Sequence, residues 1–545
     1  MVNNILKNMT IEEKVGQMCV PILQSDTITE EIRKAVVDYK VGCIRYCPDA
    51  EFDNASSVVG KPNKYFTPNE TAVFLNELQS LSEIPLIISV DQEGGCRSDI
   101  NRCNAMVYAS HMCFGVADDT ELTYQVAKAT AEEFRAMGIN QIQSPICDVF
   151  RYSGRQTMKA ATFGEDAENV AKHVVAMKRG FQDGGVLSMG KHFPGYGSIA
   201  TDAHKGTAHI TKNVDELEKE DIVPFKQLID DGVDGIMMGH VIVDAIDPKD
   251  PATLSRTLTT GYVREKLGFE GIIMTDAMRM KAIQDNYGTG VASVMAIKAG
   301  CDLVLLRGDF NHFKDGYDAI LEAAKSGEIS EDVLDVSVLR ILKAKEKIGL
   351  FNSRYADAQN ADKVIGTEEH QKLLFELASR SISVLREKNL PLEINDNKKI
   401  TVISVEPQKI AAAMDEKQCV DMLEKEIRVI HANTDGIVIK LNPDKEDISK
   451  AVDAAKDADI IVLGMCSGII FTNQKLLYKE LEALGKTLIV VAMESPCDIE
   501  LIPDCDNYIV TYGVARDWMK VAAMRIFGQT DINAKPSITI MPEIR

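Results

Sequence analysis

The chain has 545 residues, 45% of them apolar and 26% charged, with a formal net charge of -21 carried along its whole length. That balance disfavours nucleic acid and anionic membrane surfaces as partners, and without an 18-residue apolar run no membrane span is expected. The length asks for more than one core, either two domains or a large barrel with a second domain appended.

The first residues, MVNNILKNMTIEEKVGQM, hold one early lysine and no long apolar stretch, so a secretory leader is not expected and the compartment expected is the cytoplasm. The twelve cysteines are scattered, mostly inside apolar runs such as VGCIRYC and SPICDV, and no CxxC pair occurs. Buried free thiols are predicted rather than a disulfide framework.

From about residue 12 to 345, short apolar runs alternate with helical patterns: VGCIRY, PLIISVD, INQIQSPICDV, VLSMGKH, DGIMMGH, GIIMTD and CDLVLLRG. This rhythm predicts a parallel sheet buried on both faces, and the span suits a (β/α)8 TIM-like barrel with insertions over residues 1–345. An open doubly wound sheet fits less well, since no GxGxxG follows an early strand. A polar connector and a helix (EEHQKLLFELASRSI) occupy residues 346–395. A second βα series then predicts a smaller α/β/α sandwich domain over 396–545, with strands KITVISV, IRVIHAN, IIVLGM, TLIVVAM, NYIVTYG and SITIMP.

Barrel active sites lie at the C-terminal ends of the strands. The predicted runs end on Asp91, Asp148, Lys191 with His192, His240, Asp276 and Arg307. Asp276 follows Thr275 at a strand-to-helix junction, where such a residue commonly caps a helix; it is also the position of a carboxylate nucleophile held in a rigid frame. His240 fits a satisfied histidine at the barrel rim as well as a ligand-binding one. In GKHFPGYGSIATDAH, residues 190–204, Asp202 and His204 sit on a loop past a Pro-Gly turn; a carboxylate beside an imidazole raises its basicity and fixes its tautomer. One nucleophile and one acid/base is the requirement of a retaining glycosidase. Zinc spacing and a phosphate cradle around Lys191 are both missing from the sequence, so no metal and no cofactor are expected.

Taken together, DQEGG (91–95), FGEDAE (163–168), GKHFPGYGSIATDAH (190–204), MMGHVIVDAID with PATLS, and GFEGIIMTDAMRMKAI (268–283) resemble glycoside hydrolase family 3, in particular its β-N-acetylglucosaminidases of the NagZ type. SISVLREKNLPL, VVAMESPCDI and IFGQTDINAKPSITI are similar to the sandwich domain of that family. The resemblance implies that Asp276 is the nucleophile, that His204 paired with Asp202 is the acid/base, and that Asp91, Lys191, His192, Arg97, His240 and Met278 meet the sugar. It implies a small carbohydrate substrate, with phosphate as an alternative acceptor to water.

Five positions depart from the subgroup: Tyr196 stands where it has His, Ala203 where it has Ser, and Cys96, Asp99 and Ala161 where it has Arg. The displaced arginines are expected at Arg97, Arg102, Arg151 or Arg155. The function expected is a retaining exo-β-N-acetylglucosaminidase acting on muropeptide or chitooligosaccharide glycosides. The alternatives are a β-glucosidase, a β-xylosidase or a phosphorylase of the same family and, in a different class, a catalytically silent sugar-binding protein.

Overall fold

The computed structural model describes residues 1–48, 66–95, 98–100, 105–199, 206–394, 397–406 and 421–540. Up to residue 306 the described chain lays down β1 (Cys19–Leu23), β2 (Cys43–Tyr46), β3 (Ile87–Val90), β4 (Gln141–Ile142), β5 (Leu187–Phe193), β6 (Ala208–Ile210), β7 (Gly235–Met238), β8 (Val241–Val243), β9 (Ile272–Thr275) and β10 (Val304–Leu306). Eight of these form one parallel sheet in the order β10-β1-β2-β3-β4-β5-β7-β9. The sheet curls until its edges meet: Met274 bridges Leu303 in parallel, and the Thr275 N–H donates to the Leu303 carbonyl at 3.0 Å. The result is the predicted barrel. β6 and β8 pair separately as a small parallel ribbon beyond the ends of β5 and β7.

The helices that alternate with these strands are started by local chemistry. Thr67 accepts the Glu70 N–H while the Glu70 side chain accepts the Thr67 N–H, a reciprocal cap, with Pro68 at the first helical position of Pro68–Ser80; such a cap is worth about 1 kcal/mol. Asp119, Asp166 and Asp309 cap later helices one way only, each side chain accepting a first-turn N–H. Burial of the strand runs and of the inner helix faces then closes the core.

Two helices of the connector, Ala358–Val364 and Glu368–Arg380, pack back on the barrel. The fully buried Glu133 carboxylate holds the second of them, accepting from His370 Nδ1 at 2.8 Å and from the Gly366 N–H at 2.8 Å. The second sheet comprises β11 (Ser383–Glu387), β12 (Ile400–Val405), β13 (Thr434–Ile439), β14 (Ile460–Met465), β15 (Thr487–Ala492) and β16 (Asn507–Val510), in the order β11-β16-β15-β14-β12-β13. Its five later strands are parallel in a doubly wound arrangement, and β11 lies antiparallel at the edge.

Several expected elements differ. β1, CVPIL, was absent from the predicted runs. The run IRVIHAN is mostly helical, within Met422–Ile430, because Leu423, Glu424 and Ile427 turn one face inward at helical spacing, and the strand falls instead on Thr434–Ile439. Ser537–Ile540 of the expected strand SITIMP is irregular and runs back to the barrel, where Thr539 donates from N and Oγ1 to Glu165 at 2.8 and 2.7 Å. The strand β11 lies within the stretch read as connector. Nine described cysteines are buried and free.

Candidate active site

The barrel brings the ends of β2, β3, β5 and β9 to one rim. At the end of β3, Asp91 receives Lys191 Nζ on Oδ1 at 2.6 Å and pairs through Oδ2 with the Arg45 guanidinium. Glu93 also receives Lys191 Nζ, at 2.5 Å. Burial opposes the charge on Lys191, but the flanking carboxylates of Asp91 and Glu93 outweigh it and raise its pKa. For Asp91 burial likewise opposes ionisation, and Arg45 followed by Lys191 holds the carboxyl well below the usual carboxylate range. Asp91 is therefore ionised, with 16% of its side chain exposed while that of Lys191 is only 2% exposed. The group presented outward is a hydrogen-bond acceptor backed by cations.

His192, the next residue on β5, donates from Nδ1 to Asp148 Oδ2 at 3.0 Å. Its ring stacks on Tyr196 with centroids 4.8 Å apart, and Asp148 Oδ1 accepts the Tyr196 N–H at 2.7 Å. Burial works against a charged ring, but Asp148, with Asp276 beyond it, raises the imidazole pKa. His192 and Asp276 thus face each other electrostatically.

Asp276 follows β9. Its N–H donates to the Met238 carbonyl at 3.0 Å, and its Oδ1 accepts the Ala277 N–H at 2.6 Å, so backbone and carboxylate are both anchored. His240 buttresses the same turn: Nε2 lies 3.0 Å from the Ala277 carbonyl, Nδ1 2.8 Å from Thr253 Oγ1, and its N–H reaches the Tyr196 hydroxyl at 2.5 Å. Both ring nitrogens of this fully buried histidine meet protein atoms, which makes it a support of the Asp276 turn in the described structure. Met278 is buried, and its N–H donates to the Leu305 carbonyl at 3.0 Å.

Asp91, Lys191, His192, Asp148 and Asp276 are therefore gathered as expected of a barrel rim. Asp202, His204 and Arg97, with Arg102, Cys96 and Ala203, lie outside the described residues. The stem before the loop is held: Ser153 Oγ donates to the Ser198 carbonyl at 2.9 Å, and Thr157 Oγ1 to the Ile199 carbonyl at 3.3 Å.

Two of the four arginines expected to replace the missing ones are engaged elsewhere. Arg151 pairs with Glu220 at 2.9 Å and donates to the carbonyls of Phe150 and Glu165. Arg155 pairs with Glu500 of the second domain at 3.1 Å and stacks on Tyr152. Beside Arg155, Lys159 reaches Glu494 at 3.3 Å, so this segment fastens barrel to sandwich. Among the described residues, the arginines beside Asp91 are Arg45 and Arg307. Arg307 is a strand-end residue of CDLVLLRG, and burial together with repulsion from Arg45 lowers its pKa. Arg45 had one signal in the sequence: it is the only charged residue of the run VGCIRY, and with Cys43 it occupies the inward register of β2.

Residues 10–344 match the glycosyl hydrolase family 3 N terminal domain. The chain belongs to glycosyl hydrolase family 3. A beta-hexosaminidase A of Pseudoalteromonas piscicida is 28% identical over 411 residues, 71% of this chain and 66% of that protein. A beta-N-acetylglucosaminidase/beta-glucosidase of Cellulomonas fimi is 28% identical over 63% of each chain, so this chain spans less than two thirds of the length of either relative. A solved family 3 beta-N-acetylglucosaminidase from Paenibacillus sp. superposes with a TM-score of 0.88 at 27% identity, covering 98% of this chain and 99% of that one. In the family 3 chain described here, both halves of that two-domain fold are present.

Proposed function

We propose that this family 3 protein is a retaining exo-β-N-acetylglucosaminidase, in which Asp276 is the nucleophile and His204, supported by Asp202, is the acid/base. The observation that carries the proposal is the placement of Asp276 at the barrel rim, its carboxylate fixed by the Ala277 N–H and faced by His192, with the Asp91–Lys191 pair on the same rim. The names of the relatives support the choice of sugar.

Asp276 attacks the anomeric carbon as its bond to the leaving oxygen breaks, and His204 passes its proton to that oxygen. The neutral His204 then takes a proton from water, which opens the glycosyl ester and frees Asp276. Asp91 accepts from sugar hydroxyls, and Lys191 and His192 fix its wall of the site. The 2-acetamido group is a binding handle. An imidazole donor places less negative charge beside an anionic nucleophile than a second carboxylate would.

Short muropeptide or chitooligosaccharide glycosides are the proposed substrates, which places the reaction in cell-wall recycling. The nine unpaired cysteines among the described residues support a reducing compartment, the cytoplasm; among the described residues no helix is long and apolar enough to cross a membrane. A second reading, hydrolysis of β-glucosides as well, is favoured by the departures at Asp99 and Ala161 and by the double name of the Cellulomonas relative. Product analysis on a panel of nitrophenyl glycosides, with and without phosphate, tests all of this. Release of N-acetylglucosamine is expected; release of a sugar 1-phosphate only with phosphate present would replace hydrolysis by phosphorolysis, and no turnover of any glycoside would leave a sugar-binding protein.

A further inference from the structure

The carboxylate of Asp99 makes three short contacts through one oxygen. Oδ2 accepts from Arg45 Nε at 3.1 Å, from Arg45 Nη2 at 2.8 Å and from the N–H of Asp91 at 2.7 Å. The Asp99 N–H returns a bond to the Asp91 carbonyl at 2.9 Å, and Gln92 bridges Ser98, so the segment after β3 closes on itself. Arg45 Nη2 reaches Asp91 as well, and Nη1 donates to Gln143 Oε1 at 3.2 Å. The fork of Arg45 is thus filled by protein, with 7% of its side chain exposed and 9% of that of Asp99. Neither residue is free to grip a sugar, but both grip Asp91, one by its carboxylate and one by its backbone.

Among the described residues, Arg45, Lys191 and Arg307 face Asp91, Glu93 and Asp99. Position 99 is where the family resemblance leads one to expect an arginine. Here the loop after β3 carries an anion and the neighbouring strand β2 carries the cation. Resting on the reading of Asp91 as the group that receives sugar hydroxyls, we infer that Arg45 and Asp99 form an exchanged pair that positions Asp91, and that each charge is required only because the other is present.

Without Arg45, the buried carboxylate of Asp99 and the partly exposed one of Asp91 lose their shared counter-ion. Asp99, whose pKa burial already raises against the pull of Arg45, takes up a proton nearer neutrality, and Asp91 loses a cation that both orients it and favours its ionisation. Lysine cannot replace it, since a single ammonium does not reproduce the planar fork that reaches Asp91, Asp99 and Gln143 together. Removing both charges at once leaves Asp91 with Lys191 and no uncompensated neighbour.

The experiment is a double-mutant cycle on the full-length enzyme with Arg45→Met, Asp99→Asn, the two combined, Arg45→Lys and Asp91→Asn, read as kcat/KM against pH on an aryl β-N-acetylglucosaminide. R45M is expected to lower kcat/KM about 10²-fold, chiefly through KM, and to move the acid limb of the profile up by about one pH unit or more. R45M/D99N is expected to return to within about tenfold of wild type, and R45K to remain impaired. A purely structural role would give a double mutant no better than R45M and an unmoved acid limb, and either result overturns the inference. Melting temperatures of the same proteins between pH 4 and 8 carry the cycle without turnover: R45M is expected lowest where both carboxylates are ionised, with recovery in the double mutant, and no recovery contradicts the pairing. If D91N is fully active, the reading of Asp91 fails; if D91N is inactive and R45M normal, the inference alone fails.

Discussion

The hydroxyl of Tyr196 accepts the backbone N–H of His240 at 2.5 Å. The same side chain stacks on His192, and its N–H is bound by Asp148. One residue thus joins the strand end that carries His192 to the strand end that supports Asp276. The backbone passes close beneath this ring: a Cβ at Gly239 would lie 2.8 Å from Tyr196, so a side chain there would displace it. Tyr196→Phe removes the acceptor of a buried N–H, and the unfolding free energy should fall by about 1 to 3 kcal/mol in a denaturant titration. Tyr196→Ala also removes the stack and should raise KM; an alanine variant with unchanged KM would show that the stack does not orient His192.

The proton transfer proposed for His204 has a kinetic signature. His204→Ala should slow the release of a poor leaving group such as a sugar or an alkyl alcohol by about 10²-fold to 10⁴-fold, and of dinitrophenolate far less, because a good leaving group departs without a proton. Equal losses on both would remove the acid role.

Buried beneath the barrel, far from the chemistry in sequence, Lys345 donates from Nζ to Gln17 Oε1 at 2.6 Å. Burial brings its pKa down to about 7. The folded protein therefore binds fewer protons at this site than the unfolded chain between about pH 7 and the ordinary lysine value near 10.4. Stability from this group rises with pH across that window, by at most about 1.4 kcal/mol per unit, and is lowest below pH 7, where the buried ammonium is charged. Lys345→Met should flatten this part of the stability profile measured by denaturant titration at several pH values. An unchanged slope from pH 7 to 10 would show that Lys345 keeps its proton when folded.

The strand ends were readable because a closed parallel barrel sends every strand the same way, so Asp91, Lys191, His192 and Asp276 reach one rim whatever the loops between them do. CVPIL was hidden by Pro21 and by the helix that runs directly into it, Ile11–Met18. IRVI is apolar at a spacing that suits either a strand or one helix face, and packing of Leu423 and Ile427 decided it. Arg45 and Asp99 stand 54 residues apart, and their pairing depends on the register of β2 beside β3 and on the turn after β3, which no local pattern encodes. The tyrosine at 196 was visible as a departure, but its contact with His240 depends on the same three-dimensional register.

The nucleophile is the claim on which the rest depends, and it is open to direct capture. A 5-fluoro N-acetylglucosaminyl fluoride forms the glycosyl ester faster than water can open it, so the enzyme stalls with the sugar attached. Peptide mass spectrometry should then find the added mass of one fluorosugar on the peptide that contains Asp276, and Asp276→Asn should show neither the adduct nor turnover, with kcat reduced at least about 10³-fold. Continued turnover without any adduct, or an adduct on a different carboxylate, would contradict the account.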